Sequence, residues 1–315
     1  MPRSLDKTVD PNRKLNQLLR CSCEDMVKNV LPKMSNLKNG IDYLLINEGD
    51  HNKEIKLKNN EWNDYKYGMY LLGQNITVTV DCNHSKYDKC LDNNDWKENV
   101  INENEYGYLK IKTSHLWIKH QSSKIHCNGL GYTSHKGPGH AKKSSYGGGG
   151  YGTKGMNDSV YTNEGGGDTY GEETLLKEIH YGSGGGGDYK YGGRGGGVIE
   201  MVIEQHMVNH GTITCNGNDG YEGEFYGGGS GGSILMKLGV NDNDNDNDNK
   251  DKDKDNENKE NENENDENDE NRNEMDTKHI FGHILCLGGK GGVNSASGNK
   301  GGDGGKGRIA IYAKE

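Results

Sequence analysis

The segment Lys124-Ile-His-Cys-Asn-Gly129 decides the predicted fold, because two later segments align with it without gaps. They are Thr212-Ile-Thr-Cys-Asn-Gly217 and His283-Ile-Leu-Cys-Leu-Gly288, so all three read x-Ile-x-Cys-x-Gly. Alternation of an apolar residue with its neighbours indicates a strand with one buried face. Its recurrence along the chain predicts stacked, equivalent units of structure.

A second motif, Gly-x-Ile-x-(Met/Ile), alternates with the first one and begins at Gly197, Gly232 and Gly307. Gly197 lies 16 residues before Ile213. Gly232 lies 16 residues before Ile284 once residues 241–276 are left out. Those 36 residues are an Asn/Asp/Glu-rich tract that cannot build a core. We therefore expect the tract to be a disordered insertion at one turn.

Period-two strands with glycine at the corners predict an all-β fold of the parallel β-helix, or β-solenoid, class over residues 41–315. Ile125, Ile213 and Ile284 would stack in one inward ladder, and the three motif cysteines in the next. Residues 129–197 would form glycine-rich loops, either disordered or packed backbone to backbone as three-residue-per-turn extended chains. Residues 1–40 would be an N-terminal extension with a short capping helix over 12–31.

The chain resembles a known family at residues 212–217, 231–234 and 304–312, which read Thr-Ile-Thr-Cys-Asn-Gly, Gly-Gly-Ser-Ile and Gly-Gly-Lys-Gly-Arg-Ile-Ala-Ile-Tyr. These segments are similar to the repeats of glycine-rich, right-handed parallel β-helix proteins, which are large, mostly uncharacterised and often surface or adhesive proteins. The resemblance covers about residues 105–315 and implies a fold, with no catalytic motif. The chain departs from the family in its ladder cysteines and its acidic tract.

Composition narrows the class of protein. The chain of 315 residues has 50 glycines, only 30% hydrophobic residues and 18 tyrosines, too little Leu and Phe for a large conventional core. Residues 241–276 carry a net charge of −12, which leaves about +2 for the rest and no electrostatic footprint for nucleic acid. No membrane span or secretory signal is visible, and the seven cysteines are oddly spaced, so a cytoplasmic setting is the default expectation.

Two glycine motifs resemble nucleotide-binding loops but lack their context. Residues 150–155 match G-x-G-x-x-G without a strand before them or a helix after them. Residues 289–293, Gly-Lys-Gly-Gly-Val, lack the following lysine of a phosphate-binding loop. We expect no specific nucleotide binding and no cofactor.

Metal and catalytic patterns are equally weak. A calcium-loop mimic between Asp251 and Glu262 has Asn where Gly is required. Cys21, Cys23, Cys82, His84 and Cys90 offer soft ligands, at spacings that match no common closed zinc site. Seven histidines flank strands and are expected to be strand residues: His115, His120, His126, His206, His210, His279 and His283. Asp168 and Asp188 lie in separate glycine loops, and no catalytic, cofactor or metal residue is assigned.

The sequence thus favours a non-enzymatic structural or binding protein, adhesion-like, that displays glycine- and tyrosine-rich loops to a protein or carbohydrate surface. The first alternative is a carbohydrate-active enzyme, which aligned carboxylates on one outer face would favour. The second is a fragment of a larger protein whose activity lies elsewhere. Partner and ligand are left open.

Overall fold

Twelve strands form the framework of the part of the chain that the structure describes. The structure is a computed structural model that describes residues 20–82, 106–142, 145–160, 165–187, 191–239 and 278–314. The strands are β1 Leu44–Ile46, β2 Glu54–Leu57, β3 Trp62–Tyr65, β4 Met69–Leu71, β5 Thr77–Val80, β6 Tyr108–Ile118, β7 Lys124–His126, β8 Val198–Asn209, β9 Thr212–Thr214, β10 Ser233–Leu238, β11 His283–Leu285 and β12 Arg308–Ala313.

These strands pair in two sheets, and every pair of named strands is parallel. Sheet 1 has the order β1-β4-β6-β8-β10-β12, with β3 also paired to β6. Sheet 2 has the order β11-β9-β7-β5-β2. The strands extend through period-two segments rich in Ile, Val and Thr, residue types that suit a pleated, half-buried surface.

The inward faces of the two sheets form the core, and the x-Ile-x-Cys-x-Gly segments lie there in register. Ile125 pairs with Ile213, and Ile213 pairs with Ile284. Cys127, Cys215 and Cys286 are buried and free, and the same register continues to them, since Cys127 N–H donates to Thr214 O and Cys215 N–H donates to Leu285 O. The expected stacking of these isoleucines and cysteines is confirmed.

The glycine-rich segments pack backbone to backbone, which is the second of the two expected arrangements. At residues 147–150 the N–H groups of Gly148, Gly149 and Gly150 donate to three different segments, at Met156, Gly228 and Gly139. A Cβ added at each successive glycine would meet a different neighbouring segment. The Cβ at Gly147 would meet Gly165 and the Cβ at Gly150 would meet Gly167, so the fourth glycine faces the same segment as the first. This period of three is that of an extended, three-residue-per-turn helix.

The prediction of an all-β parallel β-helix, or β-solenoid, is wrong. The described residues form two sheets of mostly parallel strands with a few short helical turns, an α/β-like arrangement, and no closed solenoid is found among them. The physical reason lies in the glycine-rich segments. These segments donate to several neighbouring segments instead of forming strand ladders, so they do not join the two sheets into regular coils.

The predicted N-terminal helix is also shorter and less regular than expected. Its first part lies outside the described residues. The rest consists of an α-helical turn, α1 Cys23–Asp25, then a π-helical turn Met26–Val30 and a 3-10 turn Leu31–Lys33. Met26 and Leu31 pack with Tyr70 on the outer face of sheet 1.

The predicted insertion at 241–276 lies outside the described residues, but its two flanks are defined. Gly239 donates its N–H to Ile203 O, and Lys278 O lies 3.3 Å from His206 Nε2. Both flanks therefore meet the same strand, β8, three residues apart, which is about 10 Å along a strand. A short turn can span that distance.

Candidate functional site

The outer face of sheet 1 carries the first candidate site, at a β-bulge in β8. Thr113 pairs with Ile203 and His115 pairs with His206, so Glu204 and Gln205 together oppose Ser114. A bulge re-aims the side chains around it, and bulges concentrate near functional sites. It places Glu204, half-buried, near the charges of Lys112, Asp64 and Lys66.

Glu204 has an altered proton affinity. Partial burial raises the pKa of its carboxyl above the usual range, and the nearby Asp64 charge raises it further. Lys112 and Lys66 oppose the rise. A carboxyl with a raised pKa beside a second carboxylate is a recurring arrangement of an acid and a base.

Tyr108, Lys110 and Glu200 lie next to this site on the same face. The Tyr108 hydroxyl donates to Glu200 Oε2 at 2.7 Å, and Lys110 Nζ lies 4.4 Å from the centre of the Tyr108 ring. Burial and the bond to Glu200 raise the pKa of Tyr108, so this hydroxyl stays protonated. Trp62 is 44% exposed and pairs in register with Lys110.

A second candidate site is the tyrosine cluster, a chain of aromatic rings on the glycine-rich part of the molecule. Tyr221 and Tyr191 have ring centroids 5.4 Å apart, and Tyr191 stacks on Tyr226 at 5.3 Å with an interplanar angle of 19°. Tyr146 follows at 5.9 Å from Tyr226, and Phe225 lies 4.4 Å from Tyr146. Exposure falls from 58% at Tyr221 to 9% at Tyr226, so an exposed ring is supported by buried rings.

The backbone beneath the tyrosine cluster is fixed by hydrogen bonds between segments. Tyr221 donates its N–H to Tyr191 O at 3.0 Å, and Gly292 donates to Tyr226 O at 2.8 Å. Gly187 has φ of +149°, and a Cβ there would meet the Tyr226 ring, so only glycine fits. The cluster is therefore a preorganised surface with exposed acidic residues, Glu222 and Glu224, beside it.

The glycine motifs of the sequence lie inside the packed glycine region. Gly150 donates to Gly139 O and Gly289 donates to Gly229 O, so the backbone N–H groups that would bind phosphate have protein acceptors. Lys154 forms an ion pair with Asp168 at 3.3 Å, beside a cavity of about 390 Å³ that Lys142 and Met156 also line. Asp188 lies outside the described residues.

The soft ligands singled out in the sequence are dispersed. Cys82 packs against the core, and His84 and Cys90 lie outside the described residues. The Cys21 carbonyl lies 2.8 Å from His115 Nε2, and Cys23 N–H donates to His206 Nδ1 at 3.1 Å, so these residues hold the N-terminal segment on sheet 1. In the part of the chain that the structure describes, no three His, Cys, Asp or Glu residues are arranged to hold a metal ion.

Strand histidines follow one general pattern. Burial lowers the pKa of His115 to about 4, and it also lowers the pKa of His126, His206 and His279. These imidazoles are neutral and hydrogen-bonded. His115, His126 and His206 lie in strands as expected, whereas His279 lies before β11 and in no strand. Across the described ranges, no helix is long and apolar enough to cross a membrane.

Comparison with known proteins adds no further assignment. No family model, no curated protein and no solved structure matches this chain. The resemblance to glycine-rich repeat proteins therefore stays a prediction.

Neither candidate site is predicted by the sequence. The bulge has no sequence signature, because the step from Ile203 to Glu204 reads as ordinary alternation. The tyrosine cluster joins residues 146, 191, 221, 225 and 226, which only the packing of the glycine segments brings together. The sole available signal was the large share of tyrosine among the aromatic residues.

Proposed function

We propose that this protein is a non-enzymatic structural or binding protein that adheres to a polysaccharide surface through the tyrosine cluster. The observation that supports the proposal most is the graded exposure of the stacked rings of Tyr221, Tyr191 and Tyr226. Rigid aromatic anchors supported from behind are typical of energetically important contacts.

The chemistry of the cluster suits carbohydrate. The C–H faces of sugar rings pack on aromatic faces, and the carboxylates of Glu222 and Glu224 can accept hydrogen bonds from hydroxyl groups. The glycine framework keeps the rings in place before binding, which reduces the entropy lost when a ligand orders them.

Adsorption of the full chain to insoluble cellulose and chitin tests this proposal. Tyr221→Ala should weaken adsorption about fivefold or more, the usual loss for an important aromatic contact. Trp62→Ala is the matched control, because Trp62 is another exposed aromatic residue and lies on the outer face of sheet 1. No adsorption by the wild type, or loss with Trp62→Ala and not with Tyr221→Ala, overturns the proposal.

A carbohydrate-active enzyme is the second candidate, and the raised pKa of Glu204 beside Asp64 favours it. Glu204 would supply the proton to a leaving oxygen, and Asp64 would be the second carboxyl group of the pair. If so, Glu204→Gln abolishes release of reducing sugar from polysaccharide, whereas Glu54→Gln, at an exposed position on sheet 2, does not. Equal rates for the wild type and Glu204→Gln exclude this candidate.

A further inference from the structure

The two outermost strands of sheet 1, β1 and β12, differ in whether the backbone groups on their outer edges are hydrogen-bonded. At β1, the side chain of Asn39 bonds the outward backbone groups of Leu45. Its Nδ2 donates to Leu45 O, and Leu45 N–H donates to Asn39 Oδ1, both at 2.8 Å. Leu44 and Ile46 are buried there, at 8% and 5% exposure. This edge is closed by the chain itself.

The β12 edge is open. Arg308 and Lys314 donate their N–H groups to Gly232 O and Leu238 O, at the two ends of β10, so even-numbered residues of β12 face β10. The N–H and C=O groups of residues 309, 311 and 313 therefore face away from β10. Within the described ranges, no strand pairs with that side of β12.

The open edge also leaves core positions uncovered. Ile309 and Ile311 are 41% and 40% exposed, although their register partners Ile234 and Met236 are fully buried. Unpaired backbone groups beside two apolar, inward-phase side chains form a template for another strand.

We propose that a second copy of this chain docks on the β12 edge by antiparallel pairing of the two β12 strands around a two-fold axis. The closed β1 edge indicates that the partner strand is the β12 strand of the second copy. Pairing of β12 with β1 of another copy would have to break the two Asn39–Leu45 hydrogen bonds, whereas two open edges meet at no such cost. The association therefore stops at a dimer and does not continue as a filament.

The sequence of β12 is self-complementary in one register. With Ala310 opposite the partner's Ala310, Ile309 lies opposite the partner's Ile311 and Arg308 opposite the partner's Tyr312. The outward backbone groups of residues 309 and 311 then exchange hydrogen bonds across the axis. Shifting the axis to Ile311 would instead place Arg308 opposite the partner's Lys314, a repulsive pair.

The size and charge of the interface set the expected affinity. A strand of six residues is about 20 Å long, so the contact is smaller than a standard interface and micromolar binding is expected. Each copy carries a net charge of −10, and the two copies repel at low salt. Added salt should therefore strengthen the dimer.

Sedimentation equilibrium of the full chain, from below 1 µM to about 100 µM, tests the proposal. The wild type should pass from monomer to dimer, and Ile311→Lys should raise the dissociation constant at least tenfold. Ile41→Lys is the matched control, because Ile41 is 63% exposed and lies near the closed edge, and it should dimerise like the wild type. Melting curves establish that each variant is folded.

Cross-linking tests the register without relying on the lysine variant. Opposed Ala310 residues would form a non-hydrogen-bonded pair with Cα atoms about 4.5 Å apart, within disulfide range. Under mild oxidation Ala310→Cys should give covalent dimers beyond those of the wild type, and Ala296→Cys, in an exposed turn, should not. A chain that stays monomeric throughout, or an Ala310→Cys variant that cross-links no more than the wild type, overturns the proposal.

Discussion

Replacing Gly182 by alanine should strongly destabilise the protein, because this glycine lies where backbones from several segments meet. A Cβ built there would lie 2.5 Å from the carbonyl oxygens of both Ser230 and Gly231, and 2.8 Å from Gly196 N. Ordinary van der Waals contact begins near 3.4 Å. The neighbouring segments would therefore have to move by about 1 Å.

Such a movement is costly because the same segments hold the hydrogen bonds of the region. Gly182 donates its N–H to Gly196 O at 2.9 Å and accepts from Tyr132 N–H at 3.0 Å. Overpacking typically costs about 1–3 kcal/mol, and each buried group left unsatisfied costs about 1–3 kcal/mol more. With one of these bonds lost, the free energy of unfolding should fall by about 2–6 kcal/mol, a large part of the stability of an ordinary domain.

Urea unfolding followed by circular dichroism measures this loss. Gly49→Ala is the matched control, since Gly49 is exposed, has no positive φ and has nothing within 4 Å of the added Cβ. The control should unfold at an equal or slightly higher urea concentration, because alanine reduces the entropy of the unfolded chain. If Gly182→Ala unfolds at the same midpoint as the wild type, the close backbone packing described above is wrong.

Three further predictions follow from the core, the buried histidines and the acidic tract. In native protein Cys127, Cys215 and Cys286 should resist a thiol reagent and react after denaturation, and rapid native labelling of all three would refute the buried stack. Burial lowers the pKa of His115 from 6.5 to about 4, so as the pH falls the unfolded chain takes up a proton at this imidazole before the folded protein does. The free energy of unfolding should therefore fall as the pH drops from about 6.5 towards 4, by about 2 kcal/mol at pH 5 for this residue. An unchanged urea midpoint between pH 7 and pH 5 would contradict this prediction. Joining Val240 to Thr277 should leave the melting temperature equal or slightly higher and raise the isoelectric point, since the loop itself costs about 1–2 kcal/mol; failure of this variant to fold would show that the tract is not an insertion.

Much of the core could be predicted because the sequence repeats its own pattern. A one-residue slip would turn Ile213 and Cys215 away from the core, so the alternation of Ile and Cys fixes which residues pair. The pairs Ile125–Ile213 and Ile213–Ile284 follow that alternation. In the same way, the buried, free state of the motif cysteines follows from their phase with the isoleucines.

The path of the glycine-rich segments could not be predicted, because a glycine run specifies no face. Without a Cβ, residues 147–150 have no inward or outward side, and the choice of neighbours depends on segments distant in sequence. The closed solenoid was the wrong inference for this reason. The alternating segments predicted a stack of strands, but the glycine-rich segments between them bond to several neighbours and form no strand ladder.

Backbone N–H groups find acceptors in the packed glycine region but not at the open edge of β12. Inside the glycine region, donors such as Gly182 and Gly150 find acceptors on neighbouring segments, so the lack of side chains causes no loss of hydrogen bonds. At β12 the donors of Ile309 and Ile311 find none among the described residues, and no described segment covers their side chains. Pairing of this edge would satisfy its donors and cover Ile309 and Ile311, which is why dimerisation through β12 is expected to respond to one substitution at Ile311 and not to one at Ile41.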